Sequence, residues 1–291
     1  MRHRFPSAVP AALPLILAVV CCAVAPAAAQ AAETTRTLKA DLPADAMTAP
    51  FSIENLAGTM TVTRGSGPGV VAVATVHAES DALASALRFE AVTGRDGHPS
   101  LRVRYPLDEH PTIRYPRQEG PAGHVASLFG LGERVKGTYD GHKVTVSGSS
   151  GVLVYADVEV RLPPRDVTAA FRSLAGAHHG RGIQGTLTFD THSGDVRVED
   201  ASGRIKADTG SGDVQMDRIK GTAIADTGSG DVRATGVSGA FDCDTGSGDC
   251  VVVDFDGDTI TCDTGSGNVT VRDAKAPRID ADTGSSNVGF T

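Results

Sequence analysis

The chain has 291 residues and a formal net charge of −8, and its excess of acid lies in the C-terminal third. Residues 190–291 carry 19 Asp and Glu against 9 Lys and Arg, a net charge of −10. This acidity argues against binding nucleic acid or an anionic membrane surface through that third of the chain. Aromatic residues make up 4% of the chain and Trp is absent, so the aromatic anchors common at binding sites are scarce.

The N-terminal segment, residues 1–29, has the pattern of a secretory signal peptide. Arg2 and Arg4 give a positive start, an apolar run follows, and Ala27-Ala28-Ala29 forms an Ala-x-Ala cleavage site. The apolar run is short for a membrane span. We therefore expect an exported protein (periplasm, cell surface or extracellular) whose mature chain has about 260 residues and no transmembrane segment.

Residues 30–165 are expected to form a β-rich N-terminal region. Residues 80–92 favour a helix with Ser80 as its cap, and a short strand is the alternative. Residues 106–150 are rich in Pro and Gly, which indicates a long insertion or mobile loop. Alternating apolar residues predict strands at 35–38, 70–77, 101–105, 144–146 and 152–162.

One sequence phrase recurs through residues 166–291 and predicts a repeat architecture. Six copies of Asp-Thr-Gly-Ser-Gly-Asp-Val or a close variant follow one another at a nearly constant spacing. A fixed short period is typical of stacked units that bury their apolar faces on one another. The copies begin at Asp190, Asp208, Asp226, Asp244, Asp263 and Asp282.

Each repeat predicts two short strands joined by a Gly-rich turn. Ile205, Ala207 and Thr209 alternate with polar residues before the turn, and Val214 and Met216 do so after it. The fold class expected is therefore all-β, a flattened parallel β-solenoid of two-stranded coils about 4.8 Å apart. A left-handed β-helix of hexapeptides is excluded because it needs an apolar residue at every sixth position.

The repeat register extends beyond the six copies. Residues 173–176 lie one repeat period before residues 191–194, so the register is expected to run already from Val167. Residues 51–62 look like a separate, degenerate copy. Asn55 and Gly58 occupy the places of Thr191 and Gly194, and Met60 and Val62 occupy those of Val196 and Val198.

These motifs in this order resemble a bacterial family. The phrase Phe51-Ser-Ile-Glu-Asn-x-x-Gly, then Val158-Glu-Val-Arg-Leu-Pro163, then tandem Ser-Gly-Asp-Val units are similar to the putative-adhesin family of β-strand-repeat proteins, a cell-envelope domain of unknown function. The resemblance covers most of the mature chain. It implies an exported or surface-associated β-solenoid and supplies no catalytic residues.

Asp-Thr-Gly-Ser is also the signature of aspartic proteases, which bring two such loops face to face so that two carboxylates share a proton. Here the motif occurs five times, and parallel stacking places its aspartates in one row. The interpretation that we favour is structural, because Gly permits tight turns and Asp and Ser bond turn amides.

Calcium binding is the first alternative function. Parallel β-rolls that carry calcium have coils of about the same length as these repeats, and this chain stacks carboxylates. Unit charges about 5 Å apart repel by roughly 0.8 kcal/mol in water, which a cation between coils would relieve. The candidate calcium ligands are Asp195, Asp213, Asp231 and Asp249. The later copies carry Asn268 and Asn287 instead, and backbone amides can satisfy each Asp.

The mature chain contains three cysteines. Cys243 and Cys262 precede the Asp of successive copies and should be neighbours in adjacent coils. A disulfide between them is open in an exported protein, although in-register parallel neighbours have poor geometry for one. Small buried side chains are the favoured interpretation, because Ala207, Ala225 and Ala281 fill the same place. Cys250 replaces an inward Val and is expected to be a buried free thiol.

The sequence gives weaker support to two further functions, a histidine metal site and a polysaccharide-active enzyme. His178, His179 and His192 are near one another in the stacked register, but three histidines without a carboxylate or Cys at metal spacing are a poor zinc signal. A solenoid polysaccharide-active enzyme is the second alternative function. It needs a cleft lined by a carboxylate pair, and the acids of the insertion show no clear pair: Asp108, Glu109, Glu119 and Glu133.

The sequence therefore favours an exported, non-enzymatic scaffold that needs no cofactor. We expect it to bind an envelope protein, a glycan or another copy of itself, and not nucleic acid. Phe290 follows the last turn directly, so the last coil offers an open edge. End-on pairing of two chains through that coil is the expected mode of self-association.

Overall fold

A computed structural model of the protein describes residues 33–43, 50–94, 96–116 and 134–291. The signal-peptide segment, residues 1–29, lies outside the described residues, as do Glu119 and Glu133 of the insertion. The described residues form 24 strands and one short helix, and they belong to one compact unit.

Seven contiguous coils form the C-terminal part, and each contributes one strand to each of two sheets. We number them coils 1 to 7. Their strands are β11 (Val167–Ala175) and β12 (His178–Arg181), β13 (Gln184–Ser193) and β14 (Val196–Glu199), β15 (Ser202–Ser211) and β16 (Val214–Asp217), β17 (Lys220–Thr227) and β18 (Val232–Thr235), β19 (Ser238–Thr245) and β20 (Cys250–Asp256), β21 (Thr259–Thr264) and β22 (Val269–Lys275), and β23 (Arg278–Thr283) and β24 (Val288–Phe290).

All neighbouring coils are parallel and in register. Asp190, Asp208 and Asp226 are paired directly from strand to strand, and so are Val196, Val214 and Val232. The even-numbered strands β12 to β24 form one sheet, and the odd-numbered strands β11 to β23 form the other. The predicted parallel solenoid of two-stranded coils is therefore confirmed.

The separate N-terminal copy is a further coil of the same solenoid. It consists of β2 (Phe51–Ala57) and β3 (Met60–Arg64), and it stacks in parallel on coil 1. Asn55 pairs with Ser173, which pairs with Thr191, as the sequence predicted. Met60 pairs with His178, which pairs with Val196. We call β2 and β3 the N-terminal coil.

Strands of the N-terminal region cover the outer side of the N-terminal coil. β10 (Val152–Leu162) pairs in parallel with β3, and β6 (Pro99–Arg104) pairs in parallel with β2. The remaining strands extend the two sheets outward, and most of their pairings are antiparallel. They are β1 (Thr34–Leu42), β4 (Val70–Ala78), β5 (Arg88–Thr93), β7 (Thr112–Arg114), β8 (Arg134–Tyr139) and β9 (His142–Ser147).

The helix predicted over residues 80–92 is only partly correct. Helix α1 spans Asp81–Ala86, and the Ser80 hydroxyl accepts a hydrogen bond from the Leu83 amide, as expected of its cap. The remainder of the segment is β5, which pairs antiparallel with β6. The alternation of Phe89, Ala91 and neighbouring polar residues suits a sheet edge, and sheet pairing overrides the weak helix propensity there.

The insertion at 106–150 is partly regular. Its strands β7, β8 and β9 form a small extension of the first sheet, and the predicted strand at 144–146 lies within β9. Of the two alternatives for this segment, an insertion with regular strands describes these residues and a mobile loop does not. Tyr139 of β8 is buried, and its hydroxyl donates to the carbonyl oxygen of Val103 at 2.7 Å.

The core lies between the two sheets and changes its composition along the axis. In coils 1 and 2 the inward row of the second sheet holds Phe171 and Phe189, and in coils 3 and 4 it holds Ala207 and Ala225. Gly180 leaves room for the Phe189 ring, since a Cβ there would lie 2.7 Å from its Cζ. Such compensation keeps the core close-packed although side-chain volume differs between coils.

Candidate functional site

The repeated turn lies at the corner where each coil passes from the second sheet to the first. The Thr of each copy points inward, and its hydroxyl donates to a Gly carbonyl in the turn of the preceding coil at 2.8–3.1 Å. This bond satisfies a buried carbonyl and joins each coil to the one before it. The threonines are Thr191, Thr209, Thr227, Thr245, Thr264 and Thr283.

The second Gly of the phrase is required by the close approach of neighbouring turns. Gly194 has φ +144°, and a Cβ on it would collide with the carbonyl of Gly176. Gly176 in turn would collide with Gly58 of the N-terminal coil. L-residues with side chains rarely adopt this backbone region, so Gly is needed for both conformation and space.

The first Asp of each copy forms an outward-facing ladder on the second sheet, which we call the face ladder. Its members lie side by side in adjacent parallel strands and do not oppose one another across a groove. This arrangement lacks the facing pair of a protease, as the sequence analysis favoured. The face ladder consists of Asp190, Asp208, Asp226, Asp244, Asp263 and Asp282.

Among the described residues, cations lie near the first part of the face ladder. Lys206 Nζ lies 2.6 Å from Asp208 Oδ2 and 3.6 Å from Asp226 Oδ2, and Arg172 Nε lies 3.8 Å from Asp190 Oδ2. Partial burial, followed by repulsion from Asp208, raises the pKa of the Asp190 carboxyl above its ordinary value. The face ladder is thus a row of negative charges, of which the first three lie near Lys206 or Arg172.

The four calcium candidates form a second ladder at the turn, which we call the corner ladder. The Oδ1 atoms of Asp195, Asp213 and Asp231 each accept the backbone N–H of the next member at 2.9–3.0 Å. Asp249 Oδ1 accepts the N–H of Asn268 at 2.7 Å. One oxygen of each carboxylate therefore accepts a hydrogen bond from a backbone amide of the next coil. Bonds of this kind were expected from the sequence. Calcium binding by these residues stays a prediction.

The three cysteines meet in the core. Cys243 and Cys262 are paired in adjacent strands, as predicted, and Cys250 reaches them from the facing sheet. Cys250 Sγ lies 2.9 Å from Cys262 Sγ, and all three Sγ atoms lie within 4.8 Å of one another. All three are free thiols and at most 1% exposed.

The sequence analysis treated Cys250 as an isolated thiol and missed its approach to the other two. A signal for it exists in the repeat. Cys243 and Cys250 lie seven residues apart on either side of one turn, and their Sγ atoms lie within 4.8 Å of each other. The clue lies in the register and not in any cysteine motif.

The three histidines do not form a metal site. His178 is fully buried in the Val row, and its Nε2 lies 2.8 Å from the Ser173 hydroxyl. His179 follows it on the same strand and points outward, while His192 is exposed at the turn. Among the described residues, the cysteines are the one group of three His, Cys, Asp or Glu side chains close enough to share an ion.

Burial is the main cause of the low pKa of His178. Desolvation, with a smaller contribution from His179, lowers the pKa of His178 to about 3. Its Nδ1 is buried and has no hydrogen-bond partner among the described residues. A neutral imidazole at this position serves as a core side chain, and its protonation would place an uncompensated charge in the core.

The described acids of the insertion do not build a catalytic pair. Asp108 and Glu109 are exposed, and Asp108 Oδ1 lies 3.6 Å from His142 Nδ1. The third described acid, Asp140, is ion-paired with Arg102 and Arg104. Within the described ranges, no helix has the length and hydropathy required to cross a bilayer.

Comparisons with known proteins give the family. A family described as Toastrack DUF4097 matches residues 136–291. No curated protein shows significant similarity. Among solved structures, the chain is similar to a putative adhesin from Bacteroides fragilis at 11% identity and a TM-score of 0.47, covering 89% of this chain and 96% of that one. A putative adhesin from Parabacteroides distasonis matches at 10% identity and a TM-score of 0.39, covering 89% and 97%. The family match spans more than half of the sequence, and the chain belongs to the Toastrack DUF4097 family.

Proposed function

We propose that this protein is an exported, non-enzymatic β-solenoid scaffold that binds other molecules at the cell envelope and pairs with a second copy through coil 7. The observation that carries the proposal is the open edge of this coil. Among the described residues, Val288 and Phe290 are the large hydrophobic side chains that are exposed, at 38% and 57%.

The exposure of Phe290 follows from its place in the stack. Phe290 pairs with Val271, which is 2% exposed because coil 7 covers it. Phe290 occupies the same row, and no coil among the described residues covers it. Ile279 and Ala281 on β23 are likewise only partly buried. The end of the solenoid therefore presents apolar core positions together with unpaired strand N–H and C=O groups.

The two ends of the solenoid differ, and this difference favours a two-fold pair. The N-terminal coil is covered by β6 and β10 and by the strands beyond them. At coil 7 the sheets end in β24 and β23, which close the coil itself, whereas at the other end they end in β8 and β5, beyond the N-terminal coil. An edge that pairs with the same edge of a second copy closes after two subunits, whereas head-to-tail contacts would build filaments.

The size of the edge indicates a weak pair. β23 has six residues, so the end of the coil is roughly 20 Å long and about 10 Å wide between the sheets. This area of about 200 Å² is far below the roughly 800 Å² per partner of stable complexes. Acidic residues near the edge, such as Asp280 and Asp282, also repel across a two-fold axis. We therefore expect a concentration-dependent equilibrium that salt strengthens.

Light scattering over a range of protein concentrations tests the pairing. The native chain should shift from monomer toward dimer, and Phe290→Lys should hold it as a monomer. Thr270→Lys is the matched control, since it adds the same charge on the outer face of the adjacent strand, where Thr270 pairs with Gly289. A native chain that stays monomeric at every concentration contradicts the pairing.

Envelope proteins and glycans are the other ligand classes of the proposed scaffold. A pull-down of envelope proteins tests the first class.

Export is part of the proposal and rests on residues 1–29. Sequencing the N terminus of the mature protein, expected to begin at Gln30, tests it. The described acids of the insertion do not support the polysaccharide-active enzyme.

Calcium binding is a second candidate function because the face ladder on the second sheet and the corner ladder at the turn each stack like charges. A calcium titration followed by thermal unfolding separates it from the plain scaffold. A large rise in melting temperature at sub-millimolar calcium would support calcium binding. An unchanged melting temperature would support ladders held by backbone amides and by Lys206 and Arg172.

A further inference from the structure

The cysteine cluster of coils 5 and 6 is a site that the scaffold function does not use. Cys243 and Cys250 lie on the two sheets of coil 5 with their Sγ atoms within 4.8 Å, and Cys262 is the next member of the Cys243 row in coil 6. The Cys250–Cys262 contact of 2.9 Å is about 0.9 Å longer than a disulfide bond of about 2.05 Å. We propose that Cys250 and Cys262 form a disulfide that links the two facing sheets and coils 5 and 6, with Cys243 left as a neighbouring thiol.

Geometry selects Cys250 and Cys262 among the pairs. Cys243 and Cys262 are in-register neighbours in parallel strands, and their Cβ vectors point in the same direction, which suits a disulfide poorly. Cys250 approaches Cys262 from the opposite sheet, so the two side chains point toward each other. The close contact is observed for this facing pair.

The surroundings favour a neutral product over a bound metal ion. The neighbours of the cysteines in their rows are Ala225, Ala281, Val232 and Val269, all apolar. Three thiolates around Zn²⁺ or Cu⁺ would leave a net negative charge in this core, which is costly without a cation. Structural zinc sites also take four ligands, and only three are present among the described residues. A disulfide carries no charge.

The bond forms by thiol–disulfide exchange with a small-molecule disulfide such as glutathione disulfide. One protein thiolate attacks that disulfide, which creates a mixed disulfide and releases one thiol. The second protein thiol, after losing its proton, attacks the mixed disulfide and releases the other thiol. The protein loses two protons and two electrons, and the small disulfide gains them and is reduced to two thiols. Because the folded sulfurs are buried, the exchange takes place during folding.

The repeat itself supplies substitutes that should preserve the fold. Val occupies the Cys250 row in the flanking coils, as Val232 and Val269, so Cys250→Val copies the neighbours. Ala occupies the Cys243 row in coils 4 and 7, as Ala225 and Ala281, so Cys243→Ala does the same. The first change removes a bonded Cys, and the second removes only the neighbouring thiol.

The test is to refold the protein in a glutathione redox buffer, unfold it in acid, alkylate it and map the peptides. The native chain should show one alkylated Cys among the three, Cys243, with Cys250 and Cys262 recovered as one linked peptide. Cys243→Ala should keep the link and show no free thiol at these positions. Cys250→Val should show two free thiols. Reduction should lower the melting temperature of Cys243→Ala by about 5 °C or more and leave that of Cys250→Val unchanged.

Three outcomes would overturn the proposal. Three alkylated cysteines in the refolded native chain would show that no bond forms. A linked peptide joining Cys243 to Cys250 or to Cys262 would place the bond elsewhere. Elemental analysis that finds one metal ion per chain, lost in both Cys250→Val and Cys243→Ala, would make the cluster a metal site.

Discussion

The seven coils and the N-terminal region are stabilised in different ways. In the coils one hydrogen bond is repeated many times, such as the bond from each turn Thr to a Gly carbonyl. In the N-terminal region, unique side chains form single networks. Arg102 lies between Glu54 and Asp140 at 2.7 and 2.6 Å, and Tyr105 donates to the buried Asn55 at 2.9 Å. A repeated contact can be inferred from its period, whereas a unique network depends on residues far apart in sequence.

Changing a turn Gly should lower stability most, because a side chain there would push apart the backbones of neighbouring turns, whose close contact stacks the coils. Gly194→Ala places a Cβ against the carbonyl of Gly176 at a positive φ. We expect a loss of more than about 3 kcal/mol of unfolding free energy, measured by urea denaturation. Gly289→Ala is the control, since a Cβ there meets nothing within 4 Å. Equal losses in the two variants would refute the account of the turn.

Removing the unique buried amide of Asn55 should lower the unfolding free energy more than removing one of the repeated turn hydroxyls. Asn55 Nδ2 donates to the carbonyl oxygens of Ala57 and Ala156, and its Oδ1 accepts from Tyr105. Asn55→Ala leaves several buried groups without partners and should cost about 3 kcal/mol. Thr209→Val removes one bond, to Gly194, and should cost about 1 kcal/mol. Urea denaturation compares the two, and a larger loss for Thr209→Val would reverse the comparison.

His178 stands where the coils meet the N-terminal coil, and it should make stability depend on pH. Its pKa is lowered from 6.5 to about 3 in the folded protein, so the unfolded chain binds more protons between these values. The contribution of neutral His178 is complete above pH 6.5 and is lost as the pH falls toward 3. From pH 7 to pH 5 the loss should be roughly 2 kcal/mol.

The matched variant for this pH dependence is His178→Val, which copies Val196 of the next coil. Carboxyl groups titrate in both proteins, so only the difference between their urea-unfolding free energies at pH 7 and pH 5 reports on His178. The native chain should lose about 2 kcal/mol more than the variant, the amount expected from the titration of this one imidazole. Equal losses would mean that the imidazole accepts a proton within the folded core.

Removing one charge from the face ladder should have the smallest effect. Asp244 lies between Asp226 and Asp263 in the ladder. Asp244→Asn relieves this repulsion and should stabilise the protein by no more than about 0.5 kcal/mol, since exposed charges are well screened. The gain should shrink at high salt. A clear loss of stability in low salt would show that the carboxylate has a partner of its own.

The regular part of the fold could be predicted because its cause is local and repeated. The alternation around Ile205 and Val214 gave the strands, and the spacing of the copies gave the coils, including the separate copy at residues 51–62. The rest depends on contacts between distant residues. The antiparallel pairing of β4 with β10, the strand at 88–93 and the insertion strands have no period that would indicate their partners.

The candidate site was predictable to the same degree. The rows of Asp, and the pairing of Cys243 with Cys262, follow directly from the nearly constant spacing of the copies. The approach of Cys250 depends on which residues face each other across the two sheets, and this needs the shape of the turn as well as the period. The exposure of Phe290 depends on the absence of a further coil among the described residues and not on the repeat itself.

Distance measurement along the stack tests the central claim, that successive copies lie on one another in register. Nitroxide labels at His192→Cys and Ser285→Cys occupy the same turn in coils 2 and 7, in a chain that also carries Cys243→Ala, Cys250→Val and Cys262→Ala. Five coil spacings of about 4.8 Å predict a narrow distribution near roughly 24 Å by double electron–electron resonance. A broad distribution, or a mean beyond about 35 Å, would contradict a solenoid with this strand spacing.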